Sequence, residues 1–210
     1  MRSVHAIETE SYRILNERVD LSGLPPLTRA VTERVVHASA DLDYVTDLRC
    51  DEAALEAGVT ALLAGRPVIT DVEMVAAGIT RRGLFSELIC RITDPAATTL
   101  ARTLGITRSA AAARLAHDQA GPGAVWVIGC APTALFEVLR LGCAPALVIG
   151  LPVGFVGAAE SKAALRHSGL PAVSNVSERG GSAVAAAACN ALLYTDAVLG
   201  QHPAANEETS

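Results

Sequence analysis

The sequence predicts an α/β fold: a single domain with a mainly parallel sheet and helices on both faces. Three observations predict it. An apolar β-type run passes through Gly or small polar residues straight into an Ala-rich helix three times. It does so at AVWVIGCAPTAL (124–135), ALVIGLPVGFVGAAESKAAL (146–165) and PAVSNVSERGGSAVAAAACNALL (171–193). Upstream, RPVIT (66–70) and SELICRIT (86–93) are strand-like runs, each followed by a helical segment. Finally, 210 residues with 50% hydrophobic and 19% charged content bury a sizeable core, and no fixed-period repeat or linker divides it. Aromatics are only 3%, so Ala, Val, Leu and Ile must fill that core.

The elements follow in order. Residues 7–18 are helical. Pro25-Pro26 starts a second helix reaching about His37, with Leu27, Val31 and Val35 on its buried stripe. A third helix runs from Asp51, which suits its N-terminus, to Ala64, with Gly65 as its stop. RPVIT is a short buried strand, and DVEMVAAGI (71–79) a short helix with Asp71 near its N-cap. After the 86–93 strand, Asp94-Pro95 opens a helix to about Leu104. TRSAAAARLAHD (107–118) is another helix, entered through Gly105, and the three β-then-α units complete the chain. The tail beyond Tyr194 reads as frayed, above all from about residue 200.

Composition excludes several classes. The net charge of −5, with no Lys/Arg run, argues against nucleic acid as the main partner. Five scattered cysteines without a C-x-x-C pair fit reduced thiols in a cytosolic protein, not a disulfide framework or a metal site. The N-terminus MRSVHAIETESYR has no apolar core and is no signal peptide. No apolar run is long enough to span a membrane.

Ligands of open parallel sheets bind beyond the C-terminal strand ends. That gathers the loops at 71–74, 129–133, 150–157 and 177–182 around one crevice. A strand entering a helix through small residues leaves N–H groups and the positive end of the helix dipole facing outward. Three such corners suit a ligand that is large, flat and rich in carboxylates. A dinucleotide fits poorly: Gly150, Gly154 and Gly157 do not keep the G-x-G-x-x-G spacing, and no Walker A loop is present.

Individual residues sharpen the picture. Arg34 and His37 share a helix face offset from the apolar stripe, which reads either as an exposed histidine near a helix C-terminus or as a fixed cation beside a proton carrier. Thr107-Arg108-Ser109 and Arg179-Gly180-Gly181-Ser182 each combine a basic side chain and a hydroxyl at a helix start, a pattern suited to carboxylates. Cys130 sits at a strand-to-helix corner, where a helix N-terminus would lower its pKa; a small residue filling a tight corner is the favoured reading. Glu160 and Lys162 read as a plain surface turn. His5, His117, His167 and His202 read as solvated.

At these residues the chain resembles a known family. ERVVHASADLDY (33–44), TDVEMVAAGITR (70–81), TRSAAAARL (107–115), IGCAPTAL (128–135), GLPVGFVGAAESKAAL (150–165) and RGGSAVAAAACNAL (179–192) together are similar to the precorrin-8X methylmutases. The similarity runs from about residue 7 to 194. It implies an isomerase of cobalamin (corrin) biosynthesis that moves a methyl group from C11 to C12 of precorrin-8X to give hydrogenobyrinate, or acts on the cobalt-containing equivalent. It also implies no cofactor or metal, a cytoplasmic homodimer, and a polycarboxylated corrin precursor as the small-molecule partner.

By the same resemblance His37 is the catalytic histidine, Ser11 a substrate-binding serine and Arg34 a basic contact one turn before the histidine. The substrate-binding set is then Ser11, Arg34, Asp71, Thr80, Arg108, Ser109, Thr133, Arg179, Gly180, Gly181 and Ser182. Cys130 departs from the family, which more commonly has Asn there. The competing reading is a non-catalytic tetrapyrrole carrier, which would not need His37.

Overall fold

The computed structural model describes residues 6–81, 84 and 86–195. His5, His202 and the tail from about residue 200 lie outside the described residues. The strands are β1 (Leu48–Cys50), β2 (Val68–Thr70), β3 (Leu88–Cys90), β4 (Val125–Ile128), β5 (Leu147–Gly150) and β6 (Ala172–Asn175). They form one sheet in the order β1-β6-β5-β4-β2-β3. All neighbours are parallel except β1, which runs antiparallel to β6. The strand order reverses between β2 and β4, which makes their C-terminal ends the switch point of the sheet.

Helices cover both faces. α1 (Ala6–Arg18), α2 (Pro26–Ser39), α4 (Glu52–Leu63) and α10 (Ser182–Leu193) lie on one side, and α7 (Arg108–Ala120), α8 (Pro132–Arg140) and α9 (Ala158–His167) on the other. The short α3 (Tyr44–Asp47), α5 (Glu73–Gly78) and α6 (Pro95–Leu104) complete the set among the described residues. Alternation along β4 sorts the two cores. Val125 and Val127 join Val35, Leu55, Leu147 and Leu192, whereas Trp126 and Ile128 join Ala113, Leu135 and Leu165. α10 packs closely along α2 because six alanines let the backbones approach.

Local chemistry sets the boundaries. The side chains of Asp51, Asp94 and Thr107 accept bonds from the N–H groups of Ala53, Ala96 and Ala110, capping α4, α6 and α7. Gly105 ends α6 in the left-handed region at φ 64°. The strands are shorter than their apolar runs: β3 occupies three residues of the 86–93 run. α3 and β1 were not foreseen. Leu48–Cys50 pairs with Val173–Asn175, 123 or more residues away, and its own three residues carry no periodicity.

Candidate active site

His37 lies in the last turn of α2 and faces α1. Its Nδ1 is 2.7 Å from Ser11 Oγ, and the Tyr12 ring stacks on the imidazole with centroids 5.1 Å apart. One turn earlier on α2, Arg34 is pinned from several sides. Its guanidinium pairs with Glu8, donates to the Tyr12 hydroxyl at 3.1 Å and lies 4.9 Å from the centre of the Tyr194 ring. Glu8, Ser11 and Tyr12 stand at i, i+3 and i+4 on α1, which puts all three on the face turned to α2. The Tyr194 hydroxyl donates to Thr80 Oγ1 at 3.3 Å, and the Thr80 N–H donates to Asn190 Oδ1 at 2.8 Å. Thr80 therefore joins this cluster from the end of α5.

Two hollows flank the Ser11–His37 pair. One of about 470 Å³ is bordered by Ile7, Glu10, Ser11 and Ile14, with Ile7 72% exposed. The other, about 380 Å³, is bordered by Tyr12, Arg29, Arg34 and Tyr194. With Nδ1 held by Ser11, Nε2 of the imidazole has no hydrogen-bond partner among the described residues. A serine hydroxyl both donates and accepts, so it supports either tautomer.

At the switch point Asp71 is only 3% exposed. It does not cap α5, whose N-cap is Val72. Its Oδ1 accepts from the Gly129 N–H at 3.1 Å, and its Oδ2 from Cys130 and Ala131 at 2.8 and 2.7 Å. Burial pushes the Asp71 carboxyl up, and those three bonds pull against that shift. The amides expected to face outward at the β4–α8 corner thus already hold an internal carboxylate. Asp71 pins the corner from within. Cys130 is exposed, and its thiol is pushed up by burial and by the Asp71 charge, opposite to the lowering expected of a helix start.

The starts of α7 and α8 meet beside this corner. Thr107 Oγ1 donates to Thr133 Oγ1 at 2.8 Å, which ties the two N-termini together. Arg108 is exposed, with no ion-pair partner among the described residues, and Ser109 is half-buried beside it.

A strap of residues 176–181 carries β6 into α10. Arg179 pairs with Asp43 at 2.6 Å and Asp41 at 3.3 Å, so the loop after α2 is joined to it. Gly180 has φ +154°, and a Cβ there would lie 2.3 Å from the Leu151 carbonyl oxygen. The Gly181 N–H donates to that same oxygen at 2.9 Å. Ser182 opens α10, which has no side-chain cap. Beneath the strap, Lys162 is fully buried. It is no surface residue, whereas Glu160 is exposed. Its Nζ donates to Asn175 Oδ1 at 2.8 Å and to the Arg179 carbonyl at 2.6 Å. Burial pushes the Lys162 pKa down to about 8.

The structure thus brings Ser11, Arg34, His37 and Thr80 into one cluster, and Thr133, Arg108 and Ser109 into another. Arg179 to Ser182 form a third, linked to the first through Asp41 and Asp43. Sequence reasoning passed over Glu8, Tyr12 and Tyr194, and it placed Lys162 in a surface turn. The i, i+3, i+4 spacing of Glu8, Ser11 and Tyr12 was the available signal. His117 also differs from its reading: it is half-buried, with Nδ1 out of contact with solvent and unpartnered. His167 is exposed as expected, its Nδ1 bonded to the Ala163 carbonyl at 2.7 Å.

Among the described residues no group of three or more His, Cys, Asp or Glu is placed to hold a metal. No helix there is long and apolar enough to cross a membrane.

The chain matches the family described as CbiC, precorrin-8X methylmutase, over residues 6–195. It is 43% identical over 196 residues to the cobalt-precorrin-8 methylmutase of Salmonella typhimurium, covering 90% of this chain and 93% of that protein. It is also 43% identical over 200 residues to the precorrin-8X methylmutase of Pseudomonas aeruginosa, covering 91% and 96%. The crystal structure of precorrin-8x methyl mutase from Thermus thermophilus superposes with a TM-score of 0.83 at 36% identity, covering 93% of this chain and 97% of that one.

Proposed function

Because the chain belongs to the precorrin-8X methylmutase family, whose members are intramolecular transferases of cobalamin biosynthesis, we propose that it moves a methyl group from C11 to C12 of precorrin-8X to give hydrogenobyrinate, with His37 as the proton donor. The cobalt-containing substrate is the alternative, and relatives named for each substrate stand at the same identity of 43%. The reaction takes place in the cytoplasm.

The observation that carries the reading is the Ser11–His37 contact of 2.7 Å under the Tyr12 ring. A methyl shift around a conjugated macrocycle needs the ring to become electron-poor at the right moment. One proton delivered from Nε2 does that, and such a transfer is worth about 10²–10⁴ in rate. Ser11 and Tyr12 fix the imidazole plane, so little reorganisation is needed as the proton moves. The exposed apolar side chains of Ile7 and Ile14 beside Ser11 offer a surface for a flat ring. Peripheral acetates and propionates then reach Arg34, Arg108 and Arg179 and the starts of α7 and α10. Thr80, Ser109 and Thr133 add hydrogen-bonding groups at the rim; Asp71 contributes by shaping the corner.

The chain works as a homodimer in this reading. Phe155 and Val156 are 94% and 88% exposed on the loop between β5 and α9, and a second subunit would cover such side chains. Sedimentation at micromolar concentration checks it: a pure monomer refutes the dimer.

His37→Ala tests the chemistry. Turnover of precorrin-8X and of its cobalt form, followed by absorbance, should fall by a factor of at least about 10², with product binding retained. Turnover at the parent rate would refute His37 as the proton donor and leave the carrier reading standing.

A further inference from the structure

Lys162 is the least expected residue in the molecule. It is a fully buried cation, yet no carboxylate lies within ion-pair distance of its Nζ among the described residues. Both of its acceptors are neutral oxygens, Asn175 Oδ1 and the Arg179 carbonyl. Burying an ammonium without a paired anion is expensive, and an apolar side chain of that length would fill the same volume. Something must favour the charge.

The acceptors indicate what that is. Asn175, also fully buried, donates from Nδ2 to Asp47 Oδ2 at 2.8 Å and to the Arg179 carbonyl at 3.0 Å. Asp47 in turn accepts from the Val176 and Ser177 N–H groups and from the Ser177 hydroxyl. The strap is therefore clamped at both ends of its turn, by Asp47 near Ser177 and by Lys162 at Arg179. Immediately after that carbonyl come Gly180, Gly181 and the uncapped start of α10. The ammonium is bonded to the carbonyl that precedes Gly180, Gly181 and the start of α10, where the Gly181 N–H is already held by Leu151 and the first N–H groups of the helix follow.

We propose that Lys162 is a positioning residue for ligand carboxylate: it fixes the 176–181 strap through the Arg179 carbonyl and lends its unpaired positive charge to an anion held at the start of α10. The proposal rests on the reading of the ligand as a polycarboxylated corrin. It goes beyond that reading by assigning a role to a side chain the ligand does not touch. A carboxylate over the strap would supply the counter-charge that the folded chain withholds, in a setting where low dielectric strengthens the attraction.

The charged groups facing Lys162 are Asp47 from α3, Glu178 from the strap and Arg166 from its own helix. Arg49 of β1 acts on Arg166, and the Arg179 guanidinium is held by Asp41 and Asp43. Carboxylates and guanidinium groups keep their charge between pH 7 and 9. Lys162 is the member of this set that releases a proton there, so an anion bound over the strap is favoured below that release and weakened above it.

The test is an absorbance titration with hydrogenobyrinate at pH 7 and pH 9 on the full chain, Lys162→Met and Lys162→Gln. Gln keeps a hydrogen-bond donor for the Arg179 carbonyl without the charge. With the charge worth about tenfold, or about 1.4 kcal/mol, the parent protein should bind about fivefold more weakly at pH 9 than at pH 7, because a bound anion raises the Lys162 pKa above about 8. Both variants should bind about tenfold more weakly than the parent at pH 7 and show no further loss at pH 9. If Lys162→Gln binds as the parent does at pH 7, or keeps the parent's pH dependence, the charge role is refuted. If Lys162→Met does not fold, Lys162→Gln decides alone; if Lys162→Gln also fails to fold, the residue is a fold determinant and the proposal is wrong. Failure of the parent to bind hydrogenobyrinate at either pH would instead overturn the function reading.

Discussion

Replacing Asp71 by Asn isolates what holds the corner between β4 and α8. The change keeps the volume and removes the charge. Oδ2 takes two N–H bonds, from Cys130 and Ala131, and Oδ1 takes one, from Gly129. An Asn side chain gains most by putting its carbonyl oxygen where two donors converge. Its amide NH2 then faces the Gly129 N–H at about the present 3.1 Å separation, two donors opposed in a site shut off from solvent. The lost charge-assisted bond costs about 1.5–3 kcal/mol, and weakening the other two adds about 1 kcal/mol. Removing a buried charge returns part of this, on the order of 1 kcal/mol. The net loss is about 1.5–3 kcal/mol, or about 3–12 °C in Tm for a chain of this size.

Thermal unfolding followed by circular dichroism measures the first quantity, and product titration on the folded variant measures the second. A corner pinned from within predicts a lowered Tm with binding disturbed only through the displaced start of α8. A variant that melts within about 1 °C of the parent but no longer binds product would place Asp71 against the ligand and refute the reasoning.

Two further outcomes follow from the strap. Gly180→Ala would set a Cβ 2.3 Å from the Leu151 oxygen and 2.6 Å from the Pro152 oxygen at φ +154°, so it should lose about 2–4 kcal/mol in denaturant unfolding. At Gly181 the nearest atom to an added Cβ is Val153 Cγ1 at 4.0 Å, so Gly181→Ala should lose less; equal losses would refute the close-approach argument. The pH dependence of stability should differ between the parent and Lys162→Met. Lys162 falls from an ordinary 10.5 to about 8 in the folded chain, so between those values the unfolded chain keeps a proton that the folded chain has released, and stability rises with pH. Cys50 and Cys189, pushed up to about 12 by burial, act in the opposite direction above pH 9. The difference between the two proteins cancels them. From pH 8 to 10.5 the parent should gain on the order of 2 kcal/mol relative to the variant, and parallel curves would show that the ammonium is not buried.

Much of the fold was legible because it is encoded locally. Pro25-Pro26 announces a helix start by itself, Asp51, Asp94 and Thr107 do so within two or three residues of their partners, and the three strand-to-helix corners each lie within one segment. What escaped the sequence depends on distance along the chain. β1 has only its pairing with β6 to define it. Asp71 resembled an N-cap because its true partners lie 58 to 60 residues downstream. Lys162 reads locally as part of a surface turn, while its acceptors stand 13 and 17 residues later. His37 and Arg34 were visible as a shared face, but nothing local indicated that α1 would bring Glu8, Ser11 and Tyr12 onto that face.

The same long-range contacts change how anion binding must work. Sequence patterns suggested bare cations and free amides awaiting carboxylates. In the folded chain Arg34 already holds Glu8, Arg179 holds Asp41 and Asp43, and the 129–131 amides hold Asp71. Among the described residues neither Arg108 nor Lys162, beneath the strap, has an ion-pair partner. In the proposed binding mode a ligand carboxylate at Arg34 or Arg179 exchanges one anion for another, and at the more exposed Arg179 pairs such an exchange is worth little by itself. Affinity in that mode comes from Arg108, from the field of Lys162 and from the exposed apolar surface at Ile7 and Ile14, while the exchanges select for the spacing of the carboxylates. A ligand with many carboxylates on a rigid ring meets that requirement at several points together, and a small dicarboxylate does not.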